Sequence, residues 1–332
     1  MNEGKKRFLT GVQSSGQPHL GNYIGAIKPA IELASAGQAE AYYFIADYHS
    51  LTTIRDPELR RANTMAVAAT WLAFGEDVDG ITLYRQSQIP EVTELSWLLS
   101  CFTSYGLLSR STSFKDKSEN LREVNAGLFT YPVLMAADIL LFDADVVPVG
   151  KDQKQHLEIT QMIAKAFNHH YGEVFKVPIP RIDAEGRMVP GVDGRKMSKS
   201  YGNAIFMMEA EAVIKKSVMS IVTDSRAVED VKDPGTCNVF RLFELMAPAD
   251  DVEAMRRAYL SGGMGYGDAK KKLLACLVET FAEERERYQE LVSDEKKLEE
   301  LLAAGEAKVR RQAREKIDEV REVTGFGKLL VP

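Results

Sequence analysis

The sequence has few of the residues that build metal sites and disulfide scaffolds. Its 332 residues include three cysteines and five histidines. Cys101, Cys237 and Cys276 are not paired at metal-ligand spacing, which argues against a zinc or iron–sulfur site. Three scattered thiols fit a reducing, cytoplasmic compartment. We therefore expect no resident metal site.

Long hydrophobic runs, an N-terminal signal segment and internal repeats are also missing. Without an apolar stretch of about 20 residues, no membrane-spanning helix and no membrane partner are expected. The absence of a GxGxxG fingerprint argues against an NAD enzyme. The net charge of −6 does not suggest a general nucleic-acid binder, although a local basic patch is enough to contact phosphates.

Strand and helix patterns alternate in the first half of the chain. Strand patterns occur at residues 8–13, 41–46, 80–86 and 145–149. Helical patterns occur at residues 22–36, 56–74 and 154–171. Near-continuous apolar strands between amphipathic helices indicate a parallel sheet covered on both faces. The predicted fold is α/β, with a Rossmann-type doubly wound parallel sheet.

Strand patterns stop near residue 205. Helical patterns follow at residues 209–219, 239–246, 250–259 and 268–323, the last of them broken at Gly305. We predict a Rossmann-type catalytic domain at residues 1–204, with a helical excursion over about 91–130. An all-helical domain is predicted at residues 205–332.

A strand, a small-residue turn and a helix start follow one another near the beginning of the chain. The strand pattern ends at Gln13, and residues 14–18 read Ser-Ser-Gly-Gln-Pro. His19, Gly21 and Asn22 then open a helix. Free N–H groups at a helix N-terminus favour an anion. A histidine in a first turn is otherwise commonly a surface residue or a cap.

A cationic loop is the second candidate phosphate-binding feature. Residues 195–200 read Arg-Lys-Met-Ser-Lys-Ser after the Gly-rich segment 189–194. Lys196 and Lys199 could close over a polyphosphate, with Met197 as an apolar anchor. Lys/Ser-rich surface loops are common, so this interpretation depends on the partner motif at residues 19–22.

Together these segments resemble the HIGH and KMSKS signatures of class I aminoacyl-tRNA synthetases. Asn22 stands where the class pattern has its second histidine, a departure found in the tryptophanyl-tRNA synthetase family. Residues 11–16, 130–141, 147–158 and 222–225 are similar to further segments of that family. The resemblance runs from about residue 7 to the C-terminus.

The resemblance implies a tryptophan–tRNA ligase. Such an enzyme activates L-tryptophan with ATP to tryptophanyl-adenylate and pyrophosphate, then transfers tryptophan to the 3′-terminal adenosine of tRNA(Trp). Mg²⁺ is expected with ATP, held mainly by phosphates and waters. The resemblance also implies a cytoplasmic homodimer and an anticodon-binding role for residues 205–332.

Site residues follow from the resemblance. Around ATP it places Gln13, Ser14, Ser15, Gly21, Asn22, Gly150, Lys151, Asp152, Met188, Val189, Lys196, Met197, Ser198, Lys199 and Ser200. Catalysis is assigned to His19 and Asn22, and to Lys196, Lys199 and Lys117 as pyrophosphate ligands. Lys115 is an alternative to Lys117.

Asp138, inside the apolar segment 130–141, is the predicted ligand of the indole N–H. A buried carboxylate needs a donor, and an ion pair with Arg or Lys, or a helix cap, is the commoner solution. Met135 would pack on the indole ring, and Tyr131 and Gln153 would hold the α-amino group. His49 is either a pocket wall or a strand-end cap.

Three alternative functions stay open at this stage. A tyrosyl-tRNA synthetase would need a different polar pair for its substrate hydroxyl. A small-molecule nucleotidylyltransferase shares the HxGH-type turn, but the helical second half and the full KMSKS segment argue against it. A catalytically silent RNA-binding paralogue would not need Lys196, Lys199 and Asp138 intact.

Two surfaces also have two interpretations each. The apolar face of residues 91–117, which includes Trp97 and Phe102, is either a homodimer interface or an internal packing face. The basic residues near the C-terminus form either a solvated face or a tRNA contact; they are Lys308, Arg310, Arg311, Arg314, Lys316 and Arg321.

Overall fold

Five parallel strands form the central sheet of the computed structural model, which describes residues 6–37, 39–75, 80–111, 124–150, 153–182 and 188–329. The strands are β1 Lys6–Gln13, β2 Ala39–Ala46, β3 Ile81–Arg85, β4 Val146–Val149 and β5 Ile179–Ile182. Their order is β3-β2-β1-β4-β5, and every neighbouring pair is parallel. This confirms the predicted doubly wound sheet.

Strand β5 has no counterpart among the predicted strands. It is four residues long and contains Pro180, and Pro178 directly precedes it. Proline lacks the backbone N–H that a ladder hydrogen bond needs, so it is tolerated most easily on an edge strand. β5 is at the edge of the sheet, where Pro180 pairs with Val147.

Helices cover both faces of the sheet. In chain order they are α1 Leu20–Asn22, α2 Lys28–Ser35, α3 Asp47–Ser50, α4 Pro57–Gly75, α5 Glu91–Ser100, α6 Tyr105–Ser109, α7 Ala126–Leu140 and α8 Lys154–Tyr171. A π-helical turn, Tyr23–Ile27, joins α1 to α2. Successive residues of β2 enter different cores: Tyr43 packs with α2 and α4, whereas Tyr42 packs with α5, α7 and α8.

The last third of the described chain is helical. Its helices are α9 Glu211–Met219, α10 Asn238–Met246, α11 Ala249–Ser261, α12 Tyr266–Thr280, α13 Ala282–Ser293 and α14 Glu295–Val323. The predicted helical stretch 268–323 is thus interrupted at Phe281 and Asp294.

Helix α14 continues through Gly305, so the predicted break there is wrong. A Cβ at position 305 would lie 2.0 Å from the carbonyl oxygen of Leu83 in β3. The glycine therefore allows α14 to touch the edge strand of the sheet. Beyond it, Val309 and Ile317 belong to the same core as α5, α7 and α8.

Candidate active site

The predicted nucleotide-binding residues gather where the strand order reverses. Strands β1 and β4 are neighbours, and their carboxyl ends are Gln13 and Val149. Such a switch point opens a crevice between the two loops that leave the sheet in opposite directions. Gln13 and Gly150 are both exposed at this edge.

His19 and Asn22 form a reciprocal cap at the start of α1. The His19 N–H donates to Asn22 Oδ1 over 3.0 Å, and His19 Nδ1 accepts from the Asn22 N–H over 3.3 Å. His19 is buried, and burial together with the charge of Lys199 lowers its pKa from 6.5 to about 4. The imidazole is therefore neutral at physiological pH, and it shapes the turn without adding charge.

The KMSKS loop lies directly against this turn. Met197 is 4% exposed and belongs to the core that α2 and α4 share, and its N–H donates to Val189 over 2.9 Å. Lys199 Nζ donates to the Gly16 carbonyl over 2.7 Å. Burial lowers the pKa of Lys199 to about 8. The two signatures thus meet, as the anion-site interpretation requires.

The remaining residues predicted around ATP differ in accessibility. Ser15, Met188, Lys196 and Ser200 are exposed. Ser14 is fully buried, and its hydroxyl has no hydrogen-bond partner among the described residues. Phosphate contact by the Ser14 side chain would thus require the loop to move. Lys115, Lys117, Lys151 and Asp152 lie outside the described residues.

Asp138 is buried in α7, where its side chain accepts two hydrogen bonds. Gln86 Nε2 donates to Oδ1 over 2.7 Å, and His49 Nε2 lies 2.9 Å from Oδ2. Burial raises the pKa of Asp138, while His49 and Gln86 oppose that rise. Its partners in the described part of the chain are thus His49 and Gln86, and not the Arg or Lys of the alternative interpretation.

A second polar chain joins the two residues predicted to hold the α-amino group. Tyr131 Oη lies 2.7 Å from His156 Nε2, and His156 Nδ1 lies 2.8 Å from Gln153 Oε1. Tyr131, Met135 and Asp138 share one face of α7 because they are four and three residues apart. Met135 is partly buried against the core below.

Gln86 and His156 are the site residues that the sequence did not single out. Gln86 directly follows β3, at the same edge of the sheet as Gln13, and that position was the available signal. His156 lies within the segment 147–158 that resembles the family. Neither residue type by itself suggests a contact with Asp138 or Tyr131.

A groove of about 320 Å³ opens on the outer side of this polar cluster. His49 and Tyr131 line it, together with Ser96, Asn125 and Leu134. Asn125 also lines an adjoining hollow beside Tyr105. Neither Asp138 nor Lys199 is among the residues that line the groove or the hollow.

The basic residues near the C-terminus are largely engaged within the chain. Lys316 pairs with Asp143 over 2.8 Å and donates to the Val174 carbonyl over 2.9 Å. Arg310 lies 3.6 Å from Glu91, and Arg321 pairs with Glu94. These contacts hold α14 against α5 and against the segments that precede β4 and β5. The tRNA contact stays a prediction.

The described residues contain no group of three His, Cys, Asp or Glu side chains that could hold a metal ion. No helix in the described ranges is both long enough and apolar enough to cross a membrane.

Comparison with known proteins defines the class of this chain. The family model described as "tRNA synthetases class I (W and Y)" matches residues 1–282, and the chain belongs to this family. Its individual relatives indicate which enzymes of this family the chain resembles. The tryptophan–tRNA ligase of Neisseria meningitidis is 44% identical in an alignment of 332 positions, which covers 97% of this chain and 98% of that protein.

Two further matches agree. The tryptophan–tRNA ligase of Fusobacterium nucleatum is 46% identical over 322 residues, covering 97% of this chain and 98% of that protein. The crystal structure of the Campylobacter jejuni tryptophanyl-tRNA synthetase, complexed with ADP and tryptophan, superposes with a TM-score of 0.91. It is 44% identical and covers 96% of this chain and 99% of that one.

Proposed function

We propose that the chain is a tryptophan–tRNA ligase. It converts L-tryptophan and ATP to tryptophanyl-adenylate and pyrophosphate, and then transfers tryptophan to the 3′-terminal adenosine of tRNA(Trp). The observation that carries the proposal is the contact between the two signatures, with Lys199 lying on the first loop at the switch point. The full-length similarity to tryptophan–tRNA ligases supports the choice of amino acid.

In the activation step, a carboxylate oxygen of tryptophan bonds to the α-phosphorus of ATP. The bond from that phosphorus to the bridging oxygen breaks, and pyrophosphate leaves. Because the nucleophile is already an anion, alignment and charge stabilisation suffice and no strong base is needed. Lys196 and Lys199 would supply the cations that meet the charge growing on the leaving phosphates.

In this proposal Asp138 determines which amino acid is accepted as substrate. Its carboxylate has about four lone-pair sites, of which Gln86 and His49 use two. A third site can accept the indole N–H. Phenylalanine has no such donor and would leave a buried charged group less well satisfied, so selectivity needs no separate editing site. Tyr131 and Gln153 hold the α-amino group, with Met135 against the ring.

ATP carries Mg²⁺ in this scheme. The Lys199 ammonium lies at the loop contact, and the described residues contain no group of three possible metal-ligand side chains. The ammonium attracts phosphate oxygens and repels a bare cation, so the phosphates themselves would hold the ion. Its chemistry is to neutralise charge on the leaving pyrophosphate.

The proposal includes tRNA binding and dimerisation. Residues 205–332 would bind the tRNA anticodon. A second copy of the chain would cover the groove beside His49 and Tyr131. Trp97 and Tyr105 stand beside this region and are 72% and 77% exposed, which is unusual for large apolar side chains in a monomer.

Amino-acid-dependent exchange of labelled pyrophosphate into ATP tests the function. We expect exchange with tryptophan; exchange with tyrosine alone, or with no amino acid, would contradict the proposal. Asp138→Asn should raise the KM for tryptophan about 10- to 100-fold and reduce discrimination against phenylalanine, because a charge-assisted hydrogen bond is lost.

Asp145→Asn is the matched control for that variant. Asp145 also accepts internal hydrogen bonds, from the Arg7 N–H and from Lys176, but it lies just before β4, at the opposite edge of the sheet. Its substitution should leave both the KM and the discrimination unchanged. If Asp138→Asn behaved like Asp145→Asn, Asp138 would be a structural residue.

A further inference from the structure

Asn203 lies at the centre of the loop that carries the KMSKS residues. It is 2% exposed, and its side chain makes three hydrogen bonds within residues 193–198. Its backbone carbonyl accepts a further bond from the Val192 N–H over 3.0 Å. Asn203 was not among the site residues predicted from the sequence. It follows the segment 195–200, which carries the KMSKS signature, by three positions.

The donor and the acceptor of each of these hydrogen bonds can be assigned from its partner. Asn203 Oδ1 must accept, because its partner at 2.8 Å is the Ser198 N–H. Asn203 Nδ2 therefore faces two acceptors, Asp193 Oδ1 at 2.7 Å and the Lys196 carbonyl at 3.2 Å. One side chain thus holds the backbone immediately before and immediately after Met197.

Gly191 makes room for the Asn203 side chain. A Cβ at position 191 would lie 2.3 Å from Asn203 Nδ2 and 2.8 Å from its carbonyl oxygen. Gly191 is itself held by a bond from its N–H to the Arg195 carbonyl over 2.7 Å. The glycine-rich approach to the loop therefore serves to admit Asn203.

The chain directly after Asn203 reaches the other signature. The Ile205 carbonyl accepts from the Leu20 N–H over 2.8 Å, and the ring of Phe206 meets the His19 ring edge-on at 6.4 Å. Residues 203–206, here called the bridge segment, thus contact both phosphate-binding elements. No other hydrogen bond joins the turn at residues 19–22 to the chain after residue 188 in the described ranges.

We propose that Asn203 is a positioning residue for amino-acid activation. It sets the backbone that carries Lys196 and Lys199, and the bridge segment keeps that backbone at a fixed distance from the His19 turn. Both sets of groups then reach the ATP phosphates together. This role rests on the proposed function and adds to it a residue that need not touch ATP.

Asn203→Ala and Asn203→Asp test the role by pyrophosphate exchange, with tryptophan binding measured separately by equilibrium dialysis. Each variant should lower kcat about 100-fold, since displacement of catalytic groups by about 1 Å has effects of that order. The dissociation constant for tryptophan should stay within about twofold of wild type, because Asp138 and Tyr131 belong to other elements.

A second substitution provides a rescue. In Asn203→Asp the new carboxylate faces Asp193 and cannot donate to it. Adding Asp193→Asn restores a donor–acceptor pair at this contact and removes the like charges. The Lys196 carbonyl still lacks its donor, so only about tenfold of the hundredfold loss in kcat should return. A general loss of packing would not respond to this exchange.

Asn168→Ala is the matched control. Asn168 makes the same kind of paired backbone contacts, accepting from the Phe175 N–H over 2.9 Å and donating to the Phe175 carbonyl over 2.7 Å. It should lower Tm without a selective loss of kcat.

The outcomes separate the two proposals. Wild-type kcat in Asn203→Ala, or a fall in tryptophan affinity that matches the fall in kcat, overturns the positioning role alone. Failure of the wild-type protein to exchange pyrophosphate with tryptophan overturns the proposed function, and the positioning role with it. If Asn203→Ala does not fold, the test is the comparison of Asn203→Asp with the double variant Asn203→Asp, Asp193→Asn. No recovery of kcat in the double variant counts against the positioning role.

Discussion

Lys199 and His19 belong to different signatures, yet burial shifts both toward their neutral forms. The pKa of His19 falls to about 4 and that of Lys199 to about 8. His19 therefore stays neutral between pH 6 and pH 9, whereas Lys199 is charged below about pH 8 and loses its proton above it. Only Lys199 should respond to pH in the range where the enzyme is assayed.

We expect kcat/KM for ATP to fall as pH rises through about 8. This parameter reports the free enzyme, in which the Lys199 ammonium is lost on the alkaline side. Lys199→Arg should have a lower rate but no alkaline fall, because a guanidinium stays protonated throughout the assay range. Lys196→Arg, which leaves Lys199 intact, should keep the fall. Its persistence in Lys199→Arg would assign it to another group.

At the scale of elements, α14 connects the helical part of the chain to the sheet. Glu306 is buried and forms an ion pair with Arg85 at the end of β3. Arg85 Nε lies 2.6 Å from Glu306 Oε1, and Arg85 Nη2 lies 3.1 Å from Oε2. Arg85 directly precedes Gln86, which donates to Asp138. Gly305 lets α14 approach β3, and this approach allows the ion pair between Glu306 and Arg85. Arg85 is the residue directly before Gln86, which belongs to the proposed tryptophan pocket.

Gly305→Ala tests how closely α14 must approach β3. In an isolated helix this change would stabilise by up to about 1 kcal/mol. Here the added Cβ meets a backbone carbonyl that cannot rotate away, so we expect a loss of about 1–3 kcal/mol in the free energy of unfolding. Urea denaturation measures it.

Gly267→Ala in α12 is the control, because a Cβ there meets no atom within 4 Å. It should be neutral or slightly stabilising. Equal effects of the two substitutions would mean that α14 can move away from β3 without cost.

At the scale of the whole molecule, the exposed apolar residues on α5 and α6 border the groove beside His49 and Tyr131. The double variant Trp97→Glu with Tyr105→Glu should convert a dimer to a monomer in sedimentation velocity, because four charges would face one another across a two-fold interface. Leu260→Glu on α11, where Leu260 is 55% exposed, should leave the dimer intact. A monomeric wild-type protein would contradict the dimer proposal.

Prediction from the sequence succeeded where the signal is local. Four of the five strands are found near their predicted positions, because continuous apolar runs bounded by turn residues are typical of buried parallel strands. Strand β5 was missed because it is only four residues long, contains Pro180 and directly follows Pro178, and prolines weaken the local strand signal. The break at Gly305 was predicted wrongly because glycine has a low helix propensity, which can be read locally. The contact with Leu83 that explains this glycine is distant in sequence and cannot be read locally.

The sequence by itself determined the fold class and the two signatures, because each depends on residue type and spacing over short segments. The choice of Asp138 came from the family resemblance and stays a prediction. Tertiary structure alone decided what these residues touch. Gln86 and His49 reach Asp138 from 52 and 89 residues away, and Ile205 reaches Leu20 across 185 residues. Such contacts depend on strand order and helix packing, which bring together side chains whose spacing along the chain carries no period.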